Sequence, residues 1–135
     1  MQYLLAVLAA VHILPGVFWA GSTFVLARSE GAGAERLAGP QLGAATVAIL
    51  AGVALMAFLH AGQFGRFEQV LGLGALSAIA AVGVQSGMGM PAIKKLRQAG
   101  TGDAAALRER IARAQRIAAG LLAITVICMA VARFL

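Results

Sequence analysis

Residues 11–24 read VHILPGVFWAGSTF and place a histidine inside the first long apolar run of the chain. Wound as an α-helix, this segment brings His12, Gly16, Trp19 and Thr23 onto one face, because helical neighbours recur every three to four residues. The remaining faces are mostly apolar, as expected of a helix that meets lipid or other helices. An imidazole within a membrane is costly to bury. The pattern therefore predicts a functional histidine with a partner elsewhere in the chain.

The composition indicates a membrane protein. Of its 135 residues, 61% are hydrophobic and 12% are charged, and the mean hydropathy is +0.88. Soluble domains are about 45–50% apolar and about 25% charged. We interpret residues 1–135 as a single membrane domain. The first apolar run lacks a basic start and reaches Ala27, so we expect a retained transmembrane helix. A single cysteine, Cys128, excludes an intramolecular disulfide.

Four apolar segments are long enough to cross about 30 Å of hydrocarbon. The predicted spans are residues 2–27, 42–61, 69–90 and 117–134. We expect a surface loop between the first two spans, interrupted at Gly39-Pro40, and a basic loop over residues 91–116. Within the basic loop, residues 100–103 predict a helix break, and Asp103 is placed to cap the helix that continues into span four. The sequence thus predicts an all-α integral membrane protein, an antiparallel four-transmembrane-helix bundle.

The basic residues predict the orientation of the bundle. Nine of the eleven lie in the loops after spans one and three: Arg28, Arg36, Lys94, Lys95, Arg97, Arg108, Arg110, Arg113 and Arg116. Loops rich in Lys and Arg face the cytoplasm. Both termini are therefore expected outside the cytoplasm, in a bacterial-type inner or plasma membrane. The same distribution explains the net charge of +6, so nucleic acid is not an expected partner.

The only two histidines, His12 and His60, are the candidate site. They lie on adjacent antiparallel helices, and because helical side chains lean toward their own N-terminus, the rings are expected to converge near the outer face. Two imidazoles in a four-helix bundle suit axial ligation of a b-type haem. Gly16 and Trp19 would leave room for the macrocycle and flank it, and Arg66 would meet its propionates.

Two readings without haem stay open. In the first, His12 simply bonds a backbone group and His60 is interfacial, so the protein is a cofactor-free accessory or scaffold subunit of a membrane complex. In the second, the soft sulfur of Met88 and Met90 binds or transports Cu(I). A small-residue stripe in span three, Gly74, Ala78, Ala81 and Gln85, predicts close helix packing in either case.

The first helix resembles a signature of membrane proteins related to copper-resistance protein D and of HemJ-type protoporphyrinogen oxidases. Those helices carry a histidine, a tryptophan seven residues on and a glycine two further, here His12, Trp19 and Gly21. The resemblance implies a haem-b-binding bundle with His12 as its functional histidine. The oxidases also carry a lysine in a later helix, whereas Lys94 and Lys95 lie beyond span three. Electron transfer or porphyrin handling is therefore the expected role. Enzymatic activity, the redox partner and homo-oligomerisation stay open.

Overall fold

The computed structural model describes residues 1–98 and 103–135. Within these residues the chain forms five α-helices and one π-helical turn. They are α1 Gln2–Arg28, α2 Ala34–His60, α3 Arg66–Val84, the π turn Gln85–Gly89, α4 Met90–Gln98 and α5 Ala104–Ala132. No strand occurs in the described ranges.

Four helical segments have the length and apolar composition of a membrane span: Gln2–Arg28, Ala34–His60, Arg66–Gln98 and Ala104–Ala132. The predicted all-α four-helix bundle is therefore confirmed. Each segment also exposes large apolar side chains, among them Val17, Leu50, Leu76 and Ile127, which are all at least 60% accessible. Such a surface is stable only against lipid or further apolar helices.

The connection between α1 and α2 is much shorter than the sequence suggested. The helix α2 begins at Ala34, and Pro40, expected to interrupt a loop, lies inside it. A proline withholds one hydrogen bond from the carbonyl four residues earlier, here that of Arg36. Arg36 is exposed in the first turn, where water can satisfy its carbonyl. The chain reverses direction instead at Gly31 and Gly33, whose φ angles of 79° and 88° suit glycine.

The third span also runs further than predicted, through Pro91 to Gln98. The prediction that the helix ends at Met90 is therefore wrong. A π turn, Gln85–Gly89, comes just before the proline. Because the proline ring clashes with the preceding turn of a regular α-helix, a wider turn at this place lets the helix continue.

The helix α5 runs without interruption from Ala104 into the last span, as predicted. Asp103 occupies its N-cap position, yet its side chain makes no capping hydrogen bond. The predicted helix break at residues 100–103 falls mainly on residues 99–102, which lie outside the described residues.

The helices pack in two close pairs, α1 with α2 and α3 with α5, and α1 also packs on α5. The predicted small-residue stripe of the third span is buried at all four of its positions. A methyl group added at Gly74 would lie 3.0 Å from Cβ of Cys128, so α3 and α5 approach closely there. Thr125 reinforces this contact, since its hydroxyl donates to the Gly74 carbonyl at 2.9 Å.

Candidate functional site

The inward face of α1 carries the residues that the sequence singled out. His12 and Gly16 are half-buried, and Trp19 and Thr23 are buried. Pro15 and Ser22 lie beside them and are half-buried as well. The helical periodicity of residues 11–24 therefore predicted this face correctly.

His12 makes a specific contact with the neighbouring helix. Its Nδ1 lies 2.7 Å from the backbone carbonyl oxygen of Ala48 in α2. Since a carbonyl only accepts, Nδ1 must donate, and in the neutral ring Nε2 then keeps its lone pair. Metal-binding histidines are commonly oriented in this way, with one nitrogen donating to a carbonyl and the other free to ligate.

The absence of a side chain at Gly52 lets the His12 ring reach the Ala48 carbonyl. A Cβ at position 52 would lie 2.9 Å from Cε1 and 3.0 Å from Nδ1 of His12, too close for real atoms. Residue 52 follows Ala48 by one helical turn, so any side chain there would cover the Ala48 carbonyl. The imidazole thus occupies a niche, hereafter the His12 niche, formed by His12, Ala48 and Gly52.

His60 has different surroundings at the C-terminal end of α2. Its Nδ1 lies 3.0 Å from Oε1 of Glu68, and its ring stacks on Phe67 with centroids 4.7 Å apart. Glu68 is buried, and its second oxygen accepts from the Gly65 backbone N–H at 2.7 Å. One carboxylate therefore joins the end of α2 to the start of α3 and orients the histidine between them.

The two histidines contact different residues and lie apart in the structure. The His12 ring lies beside Gly52, whereas His60 follows Gly52 by just over two turns, about 12 Å at 1.5 Å per residue. The convergence expected from the lean of helical side chains is therefore not the arrangement in this structure. The register of α1 against α2 explains the difference, because Gly16 faces Ala48 and His12 faces Gly52.

We expect Glu68→Ala to lower the midpoint of thermal unfolding by several degrees. The change removes both the helix-start acceptor and the partner of His60. Thermal unfolding in detergent would measure it, with Gln69→Ala, an exposed neighbour, as the control. Equal midpoints for the two variants would contradict the proposed role of this carboxylate.

A second buried arrangement, the amide cluster, lies two to three turns along α1 from the His12 niche. It consists of Trp19, Thr23, Gln41, Gln85 and Gln115, and each of the four spans supplies at least one of them. The Trp19 indole N–H donates to Gln85 at 2.7 Å. Gln85 in turn donates to Thr23 at 3.0 Å and to Gln115 at 3.2 Å.

Gln41 and Thr23 complete the amide cluster. Gln115 donates to Gln41 at 3.4 Å, and Gln41 donates to Thr23 at 3.1 Å. The Thr23 hydroxyl donates at 2.7 Å to the Trp19 carbonyl. In the described part of the chain, no buried side-chain nitrogen or oxygen lacks a partner. A buried polar network that is fully satisfied stabilises one unique packing, so the amide cluster sets how the four helices meet.

Sequence reasoning missed most of the amide cluster. Gln41 was assigned to a surface loop and Gln115 to the basic loop, and Gln85 was counted only as part of a small-residue stripe. The available signal was the isolated amide of Gln85 in a run of alanine and glycine. An uncharged polar side chain in such a span usually finds a partner on another helix.

The remaining predicted site residues are dispersed. Trp19 is bound to the amide cluster, and Gly16 faces Ala48, where a methyl group would lie 4.0 Å from its Cβ. Arg66 is exposed at the start of α3. Met88 lies on a surface groove between the π turn and α5, whereas Met90 packs on the apolar cluster around Leu26.

The described residues contain no group of three or more His, Cys, Asp or Glu side chains that could hold a metal ion. Met88 and Met90 have separate surroundings, and a joint sulfur site for copper stays a prediction from the sequence. A haem requires fewer protein ligands than a bare metal ion, and the donor set of the His12 niche, one imidazole with a free Nε2, fits an axial iron ligand.

The fold and the buried site define a class, a four-helix membrane bundle whose spans meet around an amide cluster. Comparison with protein-family models, curated proteins and solved structures finds no match to this chain.

Proposed function

We propose that this protein binds one b-type haem within the membrane, with Nε2 of His12 as an iron ligand, and serves in electron transfer or porphyrin handling. The observation that carries the proposal is the 2.7 Å contact between His12 Nδ1 and the Ala48 carbonyl, a bond that the cofactor-free reading shares but that also leaves Nε2 available as a ligand. This contact selects the tautomer whose Nε2 can ligate and holds the ring in one orientation. When bound, a haem supplies a reversible one-electron iron couple.

The residues around His12 support the proposal in two further ways. Gly52 leaves the space that the imidazole fills against α2, so the ring is held in place without a competing side chain. The exposed side chains of α1 near the niche, such as Ile13 and Leu14, are apolar and would exclude water from the iron. The resemblance of His12, Trp19 and Gly21 to haem-binding membrane families points the same way.

His60 is our sequence-based prediction for the second axial ligand. Glu68 holds its Nδ1 at 3.0 Å, which likewise leaves Nε2 as an acceptor. Arg66, exposed near the same end of the bundle, stays the candidate partner for the propionates. The His12 niche and His60 lie about 12 Å apart on α2, so joint ligation would require α1 to shift along α2 toward His60.

Reduced-minus-oxidised absorption spectra of purified protein test the proposal. We expect a haem spectrum that His12→Ala abolishes, because the variant removes the ligand and leaves the bundle intact. His60→Ala should shift the spectrum if His60 is the second ligand and leave it unchanged otherwise. Thr46→Ala is the control, since this exposed threonine bonds only within its own helix. Colourless protein, or a haem spectrum retained in His12→Ala, would overturn the assignment. Colourless protein that copurifies with a larger complex would favour the accessory-subunit alternative.

We also propose the orientation in which the basic end of the bundle faces the cytoplasm and both termini face outside. Nine of the eleven basic residues lie at that end, as the positive-inside tendency requires. To test the orientation, Gly62 in the α2–α3 turn is replaced by cysteine in a Cys128→Ala background. The side of the membrane from which this cysteine can be labelled would decide the orientation. Labelling from the cytoplasm would contradict it.

A further inference from the structure

A surface groove runs between α4 and α5 at the basic end of the bundle. One part has a volume of about 510 Å³ and lies between Lys95 and Gln98 of α4 and the start of α5. A second part, about 340 Å³, continues toward Met88 of the π turn. Both parts are lined by Ala106 and Arg110, so they form one feature. We name it the basic groove, and its charged and polar lining residues are Lys95, Gln98, Asp103, Glu109, Arg110 and Arg113.

Part of the positive charge at the basic end is neutralised by contacts outside the groove or at its wall. Outside it, Arg108 pairs with the carboxylate of Glu35, and Arg97 donates to the Glu35 backbone carbonyl. Glu109, on the wall of the groove, pairs at 2.9 Å with Arg116. These contacts occupy three of the basic side chains at this end of the bundle.

The cations that line the groove have no such partners. Among the described residues, Lys95, Arg110 and Arg113 form no ion pair, and all three are exposed. Two carboxylates also line the groove, those of Asp103 and Glu109, and the second is already paired with Arg116. Three cations and one unpaired carboxylate give the groove a net positive charge. This charge would attract an anion that carries a small negative charge.

The position of the groove indicates which kind of anion it would bind. Arg113 lies one turn before Ile117, where the exposed surface of α5 becomes apolar. The half-buried Met88 lines the same end of the groove as Arg113. A ligand in the groove would therefore have its charged part among Arg110, Lys95 and Arg113, and its remainder directed toward the lipid-facing surface. An amphiphile with an anionic head has this shape.

We propose that the basic groove binds the phosphate-bearing headgroup of an anionic membrane lipid, with Arg110 as its central contact. Arginine matches a phosphate through two parallel N–H donors, and Lys95 and Arg113 add charge from either side. Basic pockets between membrane helices on the cytoplasmic side are known to hold such headgroups. The site is independent of the His12 niche, which lies toward the other end of α1.

The thermal unfolding midpoint of the purified full chain in a neutral detergent is the test. Adding phosphatidylglycerol should raise the midpoint, because binding to the folded state stabilises it, whereas phosphatidylcholine should not. Two variants remove charge from the groove: Arg110→Gln, and Lys95→Gln combined with Arg113→Gln. In each, the phosphatidylglycerol concentration that gives half of the full rise in midpoint should increase at least about five-fold, because charge-assisted hydrogen bonding is lost.

Two exposed arginines at the same end, Arg28 and Arg36, provide matched controls outside the groove. Arg28→Gln matches the charge change of Arg110→Gln, and Arg28→Gln with Arg36→Gln matches that of the double variant; both should keep the response of the native chain. Equal weakening in all variants would overturn the proposal in favour of nonspecific attraction. The same measurement is made with inorganic phosphate in place of lipid. A shift as large as that with phosphatidylglycerol would mean that the groove binds free phosphate, and would overturn the lipid assignment.

Discussion

Gln85→Leu is expected to destabilise the folded bundle by about 2–4 kcal/mol. The side chain makes three hydrogen bonds to other spans, to Trp19, Thr23 and Gln115. Hydrogen bonds between membrane helices contribute about 0.6 kcal/mol each on average, so the bonds to Thr23 and Gln115 account for about 1 kcal/mol, and the Trp19 N–H left without an acceptor adds about 1–3 kcal/mol. The leucine has similar bulk, so the loss is mainly one of hydrogen bonding. Unfolding by increasing fractions of a denaturing detergent would measure it.

The adjacent residue provides a control for Gln85. Ser86 is exposed, and its hydroxyl bonds only carbonyl groups of its own helix, those of Val82 and Gly83. Ser86→Ala should therefore change stability little. Gln115→Leu removes one of the same bonds and should lower stability by less than Gln85→Leu. If Gln85→Leu unfolds no more readily than Ser86→Ala, the amide cluster does not stabilise the bundle in the way we describe.

Gly52→Ala is expected to displace the His12 ring and to destabilise the protein by about 1–3 kcal/mol. The new methyl group would lie 2.9 Å from Cε1 of His12, so the ring must move away from Ala48. Overpacking of this kind typically has that cost, and the contact with the Ala48 carbonyl is lost as well. The imidazole ¹⁵N resonances should report the change, because the Nδ1 proton loses its acceptor. Under the proposed function, the haem spectrum should be lost or shifted too.

Gly43 allows the same substitution without the steric clash. It lies in the same helix, and a Cβ there would meet no atom within 4 Å. Since alanine favours a helix over glycine by up to about 1 kcal/mol, Gly43→Ala should be neutral or stabilising. Opposite effects at the two positions would support the His12 niche. Two equally stable variants with unshifted ¹⁵N resonances would show that the histidine is not held as we describe.

The sequence by itself predicted the features that depend on one helix at a time. The length and apolar composition of the four spans, the inward face of residues 11–24 and the continuity of α5 all follow from hydrophobic periodicity and hydrocarbon thickness. The buried stripe from Gly74 to Gln85 was predicted for the same reason, because small residues repeated at helical spacing mark a contact face.

Prolines misled the prediction of helix ends. Pro40 and Pro91 both lie inside helices, although each normally marks a boundary. At Pro40 the orphaned carbonyl belongs to an exposed first turn, and at Pro91 the preceding π turn relieves the clash. Both compensations depend on neighbouring backbone geometry, which residue type alone does not reveal.

Only the tertiary structure decided which side chains meet. The register of α1 on α2 places His12 against Ala48 and Gly52 and leaves His60 with Glu68. The same packing joins Gln41, Gln85 and Gln115, which are far apart in sequence. Periodicity determines the face that a helix buries, whereas the relative shift and rotation of two helices follow from how their side chains interlock. For this reason the sequence indicated the candidate histidine, and the fold determined its partner.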